Sequence, residues 1–248
     1  GRQLPVHYTW AEGNFFSISG NLGTQFPQAV GWAMGARYKG EDQVTASWIG
    51  DGTTAEGDFH GALTLASTYR APVIFNVVNN QWAISTFQGV AAGDAPSLAI
   101  KGLGYGLPSI RVDGNDFLAV YSATQWAAER ARAGHGATLL ELYTYRAAAH
   151  STSDDPSGYR PKEEANKWPL GDPIERLKNH LIGLGEWDEA RHEALEKQLN
   201  DLVVKSYKEA ESHGTLHDGP LSPVPSIFED VTEQPDWRLI RQRQDLGV

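Results

Sequence analysis

The order of apolar and polar positions in the first part of the chain predicts strands and helices that alternate. Residues 43–49 (QVTASWI) and 72–78 (PVIFNVV) are apolar and β-branched, which is typical of buried strands. Apolar residues recur at helical spacing between them, at Phe59, Ala62, Leu63 and Ala66. We therefore expect a strand–helix–strand unit with a helix over residues 55–69. Its right-handed crossover makes the two strands parallel.

The same alternation continues on both sides of this unit. A helical pattern over residues 25–38 precedes it, and the strand-like residues 109–112 follow it. Residues 116–133 then have helical spacing, and residues 138–145 (TLLELYTY) are again strand-like. This repetition predicts an α/β fold of the doubly wound type, in which helices flank a mostly parallel sheet.

Beyond the last predicted strand the chain becomes polar. Residues 146–172 form a long polar segment, and loops of that length inside a compact domain are usually functional or disordered. Two predicted helices and an extended, proline-containing tail follow, at residues 173–184, 188–212 and 214–248. We therefore predict one α/β domain over residues 1–172 and a C-terminal part over residues 173–248 that contacts other subunits.

The composition narrows the classes of partner and of chemistry. The chain has 31 acidic and 21 basic residues, a net charge of −10 and no dense basic run, so we expect no nucleic acid partner. It has no apolar run of about 18 residues and no signal-peptide pattern, so we expect no membrane association. The absence of cysteine excludes disulfides and thiolate chemistry and fits a reducing compartment, the bacterial cytoplasm in preference to the mitochondrial matrix.

Candidate ligand groups follow the two strands of the first unit. Gly50-Asp51-Gly52 ends the first strand, and Asn79-Asn80 ends the second. Parallel strands end at the same edge of a sheet, where the ligands of open α/β sheets bind. A carboxylate, an amide oxygen and a nearby main-chain carbonyl form an oxygen set that suits Mg²⁺ or Ca²⁺. The glycines would admit phosphate groups, to which the next helix presents its N-terminal N–H groups.

Each half of this pattern alone also fits an ordinary local structure, a turn at GDG and a helix cap or Asx-turn at NN. Together the two halves resemble the thiamine diphosphate motif. The resemblance implies that Asp51, Asn80 and the main-chain oxygen of Trp82 bind Mg²⁺, which bridges the cofactor diphosphate. It implies further cofactor contacts in the first turn, at Gly50, Gly52 and Thr53.

Three more segments carry a resemblance that covers nearly the whole chain. They are GRQLPVHY, FFSISGNLGTQFPQAVGWAMGA and YRAAAHSTSDDPSGYRP. The chain resembles the α subunits of the E1 components of 2-oxo acid dehydrogenases, and GRQLPVH and HSTSDDPSGYRP favour the branched-chain type over the pyruvate and acetoin types. The resemblance implies oxidative decarboxylation of a small 2-oxo acid and acyl transfer to a lipoyl-bearing E2. It also implies an α2β2 assembly in which the E1 β subunit supplies the glutamate that activates the cofactor.

The resemblance assigns roles to the turn before the first helix. Gly20 and Leu22 match main-chain contacts to the aminopyrimidine ring of the cofactor. A potassium ion in animal members is held by the positions that match Ser19, Asn21, Thr24 and Gln25. Asn21 stands where those members have proline, and Gly20 stands where they have serine. Helix capping alone is the alternative explanation of this turn.

In residues 146–172, which the resemblance makes the active-site loop, His150 matches the family's active-site histidine and contacts the cofactor. An imidazole can donate a proton to a carbonyl oxygen near neutral pH, although a lone loop histidine is more often solvated. Arg146 is expected to complement diphosphate or carboxylate charge. Ser151 matches a serine that is phosphorylated in animal members, where added negative charge would disorder the loop.

Two departures from the family pattern concern the cofactor site. Family members have a second diphosphate arginine just before the position of Asn79, where this chain has Val78. They also carry a segment before GRQ with a Tyr-Arg pair that contacts the cofactor, so we expect either a fragment or an incomplete site. The alternative hypothesis is a truncated, cofactor-free partner of the β subunit.

Overall fold

The computed structural model describes residues 7, 9–16, 18–214, 223–229 and 233–248. The expected family segment GRQLPVHY therefore lies almost entirely outside the described residues, as do two parts of the predicted tail. The chain divides into two compact units, Gly1–Gly183 and Leu184–Val248. The domain boundary predicted after residue 172 stays a prediction.

Four parallel strands form the main sheet of the first unit. The described residues of this unit also form a two-stranded sheet. All of these strands, in chain order, are β1 (Thr45–Gly50), β2 (Val73–Asn79), β3 (Trp82–Ala83), β4 (Thr86–Phe87), β5 (Ser109–Asp113) and β6 (Thr138–Tyr143). The main sheet has the order β1-β2-β6-β5, and all three strand pairs in it are parallel. The strands β3 and β4 form a separate antiparallel hairpin directly after β2.

Helices cover both faces of the sheet, which confirms the doubly wound α/β prediction. The helices of the first unit are α1 (Gln25–Lys39), α2 (Gly57–Tyr69), α3 (Gln88–Ala92), α4 (Ile100–Leu103), α5 (Phe117–Arg132) and α6 (Pro173–Gly183). Helices α1 and α2 pack on one face, where Phe26 and Phe75 lie with ring centroids 4.6 Å apart. Helix α5 packs its alanines on the other face against Ile74, Val112 and Leu140. The alternation of Ile74 and Phe75 between these cores follows from the two-residue period of a strand.

The predicted strand–helix–strand unit is confirmed, with one difference at the start of its helix. A short 3₁₀ turn occupies Gly52–Ala55, and Asp51 caps it by accepting a hydrogen bond from the Gly52 amide. Glu56 is extended, with φ −75° and ψ 147°, so α2 begins only at Gly57. The N–H groups nearest to Asp51 therefore belong to the 3₁₀ turn rather than to the α-helix that the sequence predicts.

The second unit contains α7 (Glu189–Ser212), a short 3₁₀ helix (Val224–Phe228) and α8 (Trp237–Asp245). The prediction of a wholly extended tail was therefore wrong over the last helix. Asp236 caps α8 by accepting hydrogen bonds from the amides of Arg238 and Leu239. Among the described residues, no helix has both the length and the apolar character needed to cross a bilayer.

Candidate functional site

Asp51 is a buried carboxylate with one oxygen left free. Its residue is 2% exposed, and Oδ1 accepts a 2.9 Å hydrogen bond from the Gly52 amide. Oδ2 has no hydrogen-bond partner among the described residues. Burial raises the pKa of Asp51 above its ordinary value, against the Gly52 amide and the nearby charge of Arg146, which lower it. A buried carboxylate oxygen without a partner is costly, so this position suits a bound cation.

The Asn79–Asn80 turn lies beside Asp51, as the parallel arrangement predicts. Gly50 of β1 pairs with Val78 of β2, so the two chains leave the sheet next to each other. The Gln81 amide approaches the Asp51 carboxylate closely enough to lower its pKa, although no bond of standard geometry reaches Oδ2. Asp51 and the residues around Asn80 therefore lie next to each other at one edge of the sheet.

Asn80 and Trp82 present the other two oxygens expected at the metal. Asn80 Oδ1 accepts a 3.2 Å hydrogen bond from the Trp82 amide. The Trp82 carbonyl accepts a 2.7 Å hydrogen bond from Arg146 Nη1, and Arg146 Nη2 donates to the Ile84 carbonyl at 2.7 Å. Because amide and carbonyl oxygens each have two lone pairs, both remain able to bind a metal ion.

This donor set fits a cation that is completed from outside the protein. The described part of the chain has no group of three or more His, Asp or Glu side chains that could hold a metal. One carboxylate with amide and carbonyl oxygens is a sparse set of hard ligands, which is typical of Mg²⁺ bound together with phosphate oxygens. The residues present therefore fit a magnesium diphosphate better than a metal held by protein alone.

A buried network that the sequence analysis missed holds the Asn79–Asn80 turn. Gln81 adopts a left-handed conformation with φ 75°, which is rare for a residue with a side chain. Its Nε2 donates to Asn79 Oδ1 at 3.0 Å and to the Thr144 carbonyl at 3.3 Å. Asn79 Nδ2 in turn donates to Glu141 Oε1 at 2.8 Å. The turn is thus fastened to the end of the central strand β6 by these side chains and also by main-chain bonds, which the Thr144 and Arg146 amides donate to the Asn79 and Asn80 carbonyls.

Glu141 is the charged end of this network and lies fully buried in β6. Arg111 Nη2 donates to its Oε1 at 2.8 Å, and the Ala99 amide donates to its Oε2 at 2.9 Å. Burial raises the pKa of Glu141, but the hydrogen bonds from Arg111, Asn79 and Ala99 outweigh it and hold the pKa below its ordinary value. A glutamate inside the apolar run TLLELY was the signal that could have revealed the network.

A cavity of about 240 Å³ brings together three of the predicted cofactor residues, Leu22, Gly50 and Thr53. Its remaining lining comes from Gly23, Gln25, Trp48, Ile49 and Val78. Val78, which stands where family members have an arginine, therefore lines this cavity with an apolar side chain. The cavity lies beside the carboxyl ends of β1 and β2, where ligands of such sheets bind.

The predicted potassium residues converge in the turn before α1. Thr24 Oγ1 donates to Ser19 Oγ at 2.8 Å and to the Asn21 carbonyl at 2.9 Å. Gln25 Nε2 donates to the Ser19 carbonyl at 3.2 Å. Gln25 Oε1 is buried without a hydrogen-bond partner among the described residues. Thr24 is the residue before α1, and its side chain makes no capping hydrogen bond. The potassium site stays a prediction.

Gly20, the remaining residue predicted in this turn, is exposed. A Cβ at this position would lie 3.3 Å from the His7 imidazole, so a side chain would press against that ring. The backbone of Gly20 is therefore exposed to solvent on one side and lies close to the His7 ring on the other side.

His150 is exposed in the loop and is held there through its backbone. Its amide donates to Asp154 Oδ2 at 2.8 Å, and this bond is the main cause that lowers the pKa of Asp154. The Tyr159 hydroxyl donates to the same oxygen at 2.7 Å and accepts a 2.9 Å bond from Arg146 Nη2. The loop segment that carries His150 is therefore tied to Arg146, the residue that also holds the Trp82 carbonyl.

Arg160 fastens the base of the same loop. This buried arginine donates to the carbonyl groups of Arg146, Ala147 and Ala148. Ser151, the candidate phosphorylation site, is exposed, and its hydroxyl lies 3.2 Å from that of Ser153. The roles that the sequence predicts for His150 and Ser151 stay predictions.

Comparison with protein-family models adds the decisive observation. The model of the family described as "Dehydrogenase E1 component" matches residues 1–218. The chain belongs to this family. Membership confirms the resemblance to E1 components that the sequence carries, and the roles of the individual site residues stay predictions.

Several curated relatives match across the whole chain. The chain is 60% identical over 248 residues to the 2-oxoisovalerate dehydrogenase subunit alpha of Pseudomonas aeruginosa. This match covers 100% of this chain and 60% of that protein. It is 43% identical over 250 residues to the mitochondrial counterpart of Mus musculus, of which it covers 54%. It is 42% identical over 244 residues to the 3-methyl-2-oxobutanoate dehydrogenase subunit alpha of Mycobacterium tuberculosis, with 96% of this chain and 65% of that protein covered. The chain thus spans between 54% and 65% of the length of these relatives.

Proposed function

We propose that the chain is the cofactor-binding part of an E1 α subunit that acts on branched-chain 2-oxo acids. It would bind thiamine diphosphate through Mg²⁺ at Asp51, Asn80 and the Trp82 carbonyl. The observation that carries this proposal is the buried Asp51 carboxylate, whose Oδ2 has no partner among the described residues. A cation at this point would satisfy that oxygen and connect it to a diphosphate.

The names of the relatives support the branched-chain substrate class. Relatives from two bacteria and a mouse are named for 2-oxoisovalerate or 3-methyl-2-oxobutanoate, which are branched-chain 2-oxo acids. This favours the branched-chain hypothesis over the pyruvate and acetoin alternatives. The free oxygen of Asp51 disfavours the cofactor-free alternative, because a chain without a cofactor would keep that cost for no purpose.

The residues of this chain would bind and orient the cofactor. When bound, thiamine diphosphate supplies the electron sink for decarboxylation. Asp51, Asn80 and the Trp82 carbonyl would hold the metal, and Arg146 would fix that carbonyl from the other side. Leu22, Gly50 and Thr53 would border the cofactor in the cavity. The main-chain groups of Gly20 and Gly52 would also contact it.

His150 would act on protons at the substrate end of the site. Its exposed imidazole could donate a proton to a carbonyl oxygen of the substrate. The tie from its amide to Asp154, and from Asp154 to Tyr159 and Arg146, would hold the loop near the metal turn. A K⁺ ion held by Ser19, Asn21, Thr24 and Gln25 would stiffen the turn that carries Gly20 and Leu22.

The assembly would be an α2β2 heterotetramer with an E1 β subunit, and the acyl product would pass to the lipoyl domain of an E2. The relatives are named as alpha subunits, which supports the need for a second kind of subunit. The chain alone would be inactive, because the family's activating glutamate lies in the β subunit.

Calorimetric titration of the full-length protein assembled with its β subunit tests the proposal. Thiamine diphosphate should bind stoichiometrically and only with Mg²⁺. Asp51→Ala should weaken binding by about 100-fold, since loss of an outer-shell partner alone costs roughly 10–100-fold. The exposed Asp94→Ala is the matched control and should bind normally. Unchanged binding in Asp51→Ala would remove the metal assignment, and faster turnover of pyruvate than of 3-methyl-2-oxobutanoate would remove the substrate class.

A further inference from the structure

Glu164 joins two elements that are far apart in sequence. Its Oε1 accepts a 3.1 Å hydrogen bond from Trp82 Nε1 and a 2.9 Å hydrogen bond from the Tyr145 hydroxyl. Trp82 lies in the hairpin after β2, and Tyr145 follows β6. One half-buried carboxylate oxygen therefore connects the second half of the 146–172 loop to both strand ends at the site.

The segment around Glu164 is itself docked on the end of β6. Glu164 is the residue before the 3₁₀ helix Ala165–Lys167, and Trp168 follows that helix. The Trp168 ring lies 5.1 Å from the Tyr143 ring and 5.2 Å from the Tyr145 ring, measured between centroids. Aromatic contacts on one side and the two hydrogen bonds on the other fix the position of the Glu164 carboxylate.

Trp82 is held through both its side chain and its main chain. Its indole ring packs 5.5 Å from the Phe87 ring and 5.4 Å from the Tyr159 ring. Its carbonyl accepts a bond from Arg146, and its indole N–H donates to Glu164. Glu164 thus holds the side chain of Trp82 while Arg146 holds its carbonyl, so both bonds restrain the hairpin that carries this oxygen.

We propose that Glu164 is a positioning residue that sets the Trp82 carbonyl for the metal ion. This inference rests on the proposed function, because it assigns a role toward the same Mg²⁺ and diphosphate. It adds that the far half of the loop, distant in sequence from His150, belongs to the cofactor site. Linkage then requires that metal binding and docking of residues 164–168 strengthen each other by the same factor.

Three variants of the full-length protein assembled with its β subunit separate this role from general stability. Glu164→Ala removes the accepting oxygen, Glu164→Gln keeps an oxygen that can accept both bonds, and Glu163→Ala removes a neighbouring exposed carboxylate. We expect Glu164→Ala to weaken Mg²⁺-dependent thiamine diphosphate binding roughly 10-fold, at the low end for residues that orient metal ligands. Glu164→Gln and Glu163→Ala should bind within about twofold of the original protein. Unchanged binding in Glu164→Ala, or equal losses in Glu164→Gln and Glu164→Ala, would overturn the inference.

Hydrogen exchange without cofactor gives a second readout that does not depend on the proposed function. Glu164→Ala should accelerate exchange in peptides that cover residues 80–87, and exchange in the core helix α2 should stay unchanged. Equal acceleration in α2 would indicate general destabilisation and would overturn the positioning role. If the original protein binds no thiamine diphosphate with Mg²⁺, the proposed function fails. In that case the exchange data alone decide whether Glu164 positions Trp82.

Discussion

Gly52 and Ala83 touch across the two halves of the candidate metal site. A Cβ on Gly52 would lie 2.4 Å from the Cβ of Ala83, closer than two such atoms can approach. The second glycine of the first turn is therefore required by the hairpin that follows β2. This contact brings the Asp51 turn against the segment that carries the Trp82 carbonyl, so oxygens from separate strands can share one ion.

Replacing this glycine should separate the two halves. Gly52→Ala forces the turn or the hairpin to move, and overpacking of this kind costs about 1–3 kcal/mol of stability. We also expect weaker Mg²⁺-dependent thiamine diphosphate binding, measured by calorimetry. Gly61→Ala is the control, because a Cβ there meets nothing within 4 Å and lies inside α2. That variant should be stabilised by about 0.5–1 kcal/mol in denaturant unfolding. Equal stability of the two variants would contradict the contact.

Asp51 should destabilise the protein when no metal is bound. Burial raises its pKa, so the folded protein holds this proton more tightly than the unfolded chain does. The group thus stabilises the fold below its unfolded pKa, and that stabilisation is lost as the pH rises through the folded pKa. Asp51→Asn should therefore be more stable than the original protein at pH 7, by on the order of 1 kcal/mol. The difference should shrink toward about pH 4, near the ordinary pKa of an aspartate.

Urea unfolding across this pH range, without metal or cofactor, checks the effect of Asp51. Asp94→Asn is the control, because Asp94 is exposed and should show no such pH dependence. With Mg²⁺ and thiamine diphosphate added, the order should reverse, since only the carboxylate binds the metal strongly. A metal-free Asp51→Asn variant less stable than the original protein at pH 7 would contradict the prediction.

The placement of Asp51 and Asn80 at the same edge of the sheet could be predicted from the sequence, because a helical crossover joins parallel strands, which end at the same edge. The buried chain Gln81–Asn79–Glu141 could not, because it depends on a left-handed Gln81 that no local pattern announces. The link from Glu164 to Trp82 spans 82 positions. Such a contact is set by how the loop docks, which the pattern of single segments does not contain.

The last helix shows a different limit. A capping aspartate, Asp236, precedes Trp237–Asp245, which is a local signal for a helix start. The few apolar residues of that segment conceal the helical period, so the hydrophobic pattern predicts an extended tail. The capping aspartate alone was sufficient to predict this helix, but the hydrophobic pattern favoured an extended tail instead.

Glu141 should contribute stability that depends on pH in the opposite sense to Asp51. Its pKa is held below the ordinary value, so its stabilisation is present above the unfolded pKa and is lost as the pH falls through the folded pKa. Glu141→Gln should cost about 2 kcal/mol at pH 7, because Arg111 loses its partner while remaining partly exposed to water. Urea unfolding should show that this cost fades in acid. The exposed Glu129→Gln should change little, and an equal loss there would argue against a specific role.

Tyr159 should control the order of the loop that carries His150. Its hydroxyl connects Arg146 to Asp154, which in turn holds the His150 amide. Tyr159→Phe should therefore speed proteolytic cleavage within residues 147–158 several-fold, while the midpoint of global unfolding stays the same. Tyr121→Phe, at an exposed tyrosine of α5, is the control and should leave cleavage unchanged. A fall in the global midpoint without faster loop cleavage would contradict this role.

Gln25 should make the stability of the protein sensitive to potassium. Its Oε1 is buried without a partner among the described residues, and its Nε2 donates to the Ser19 carbonyl. An ion that binds only the folded state stabilises it by an amount that grows with the ratio of its concentration to its dissociation constant. Replacing Na⁺ by K⁺ at constant ionic strength should thus raise stability by about 1 kcal/mol if the ion is present at several times that constant. Gln25→Leu should abolish the difference, whereas the exposed Gln28→Leu should keep it. Equal stability of the original protein in both salts would contradict the potassium site, and the turn would then serve only to start α1.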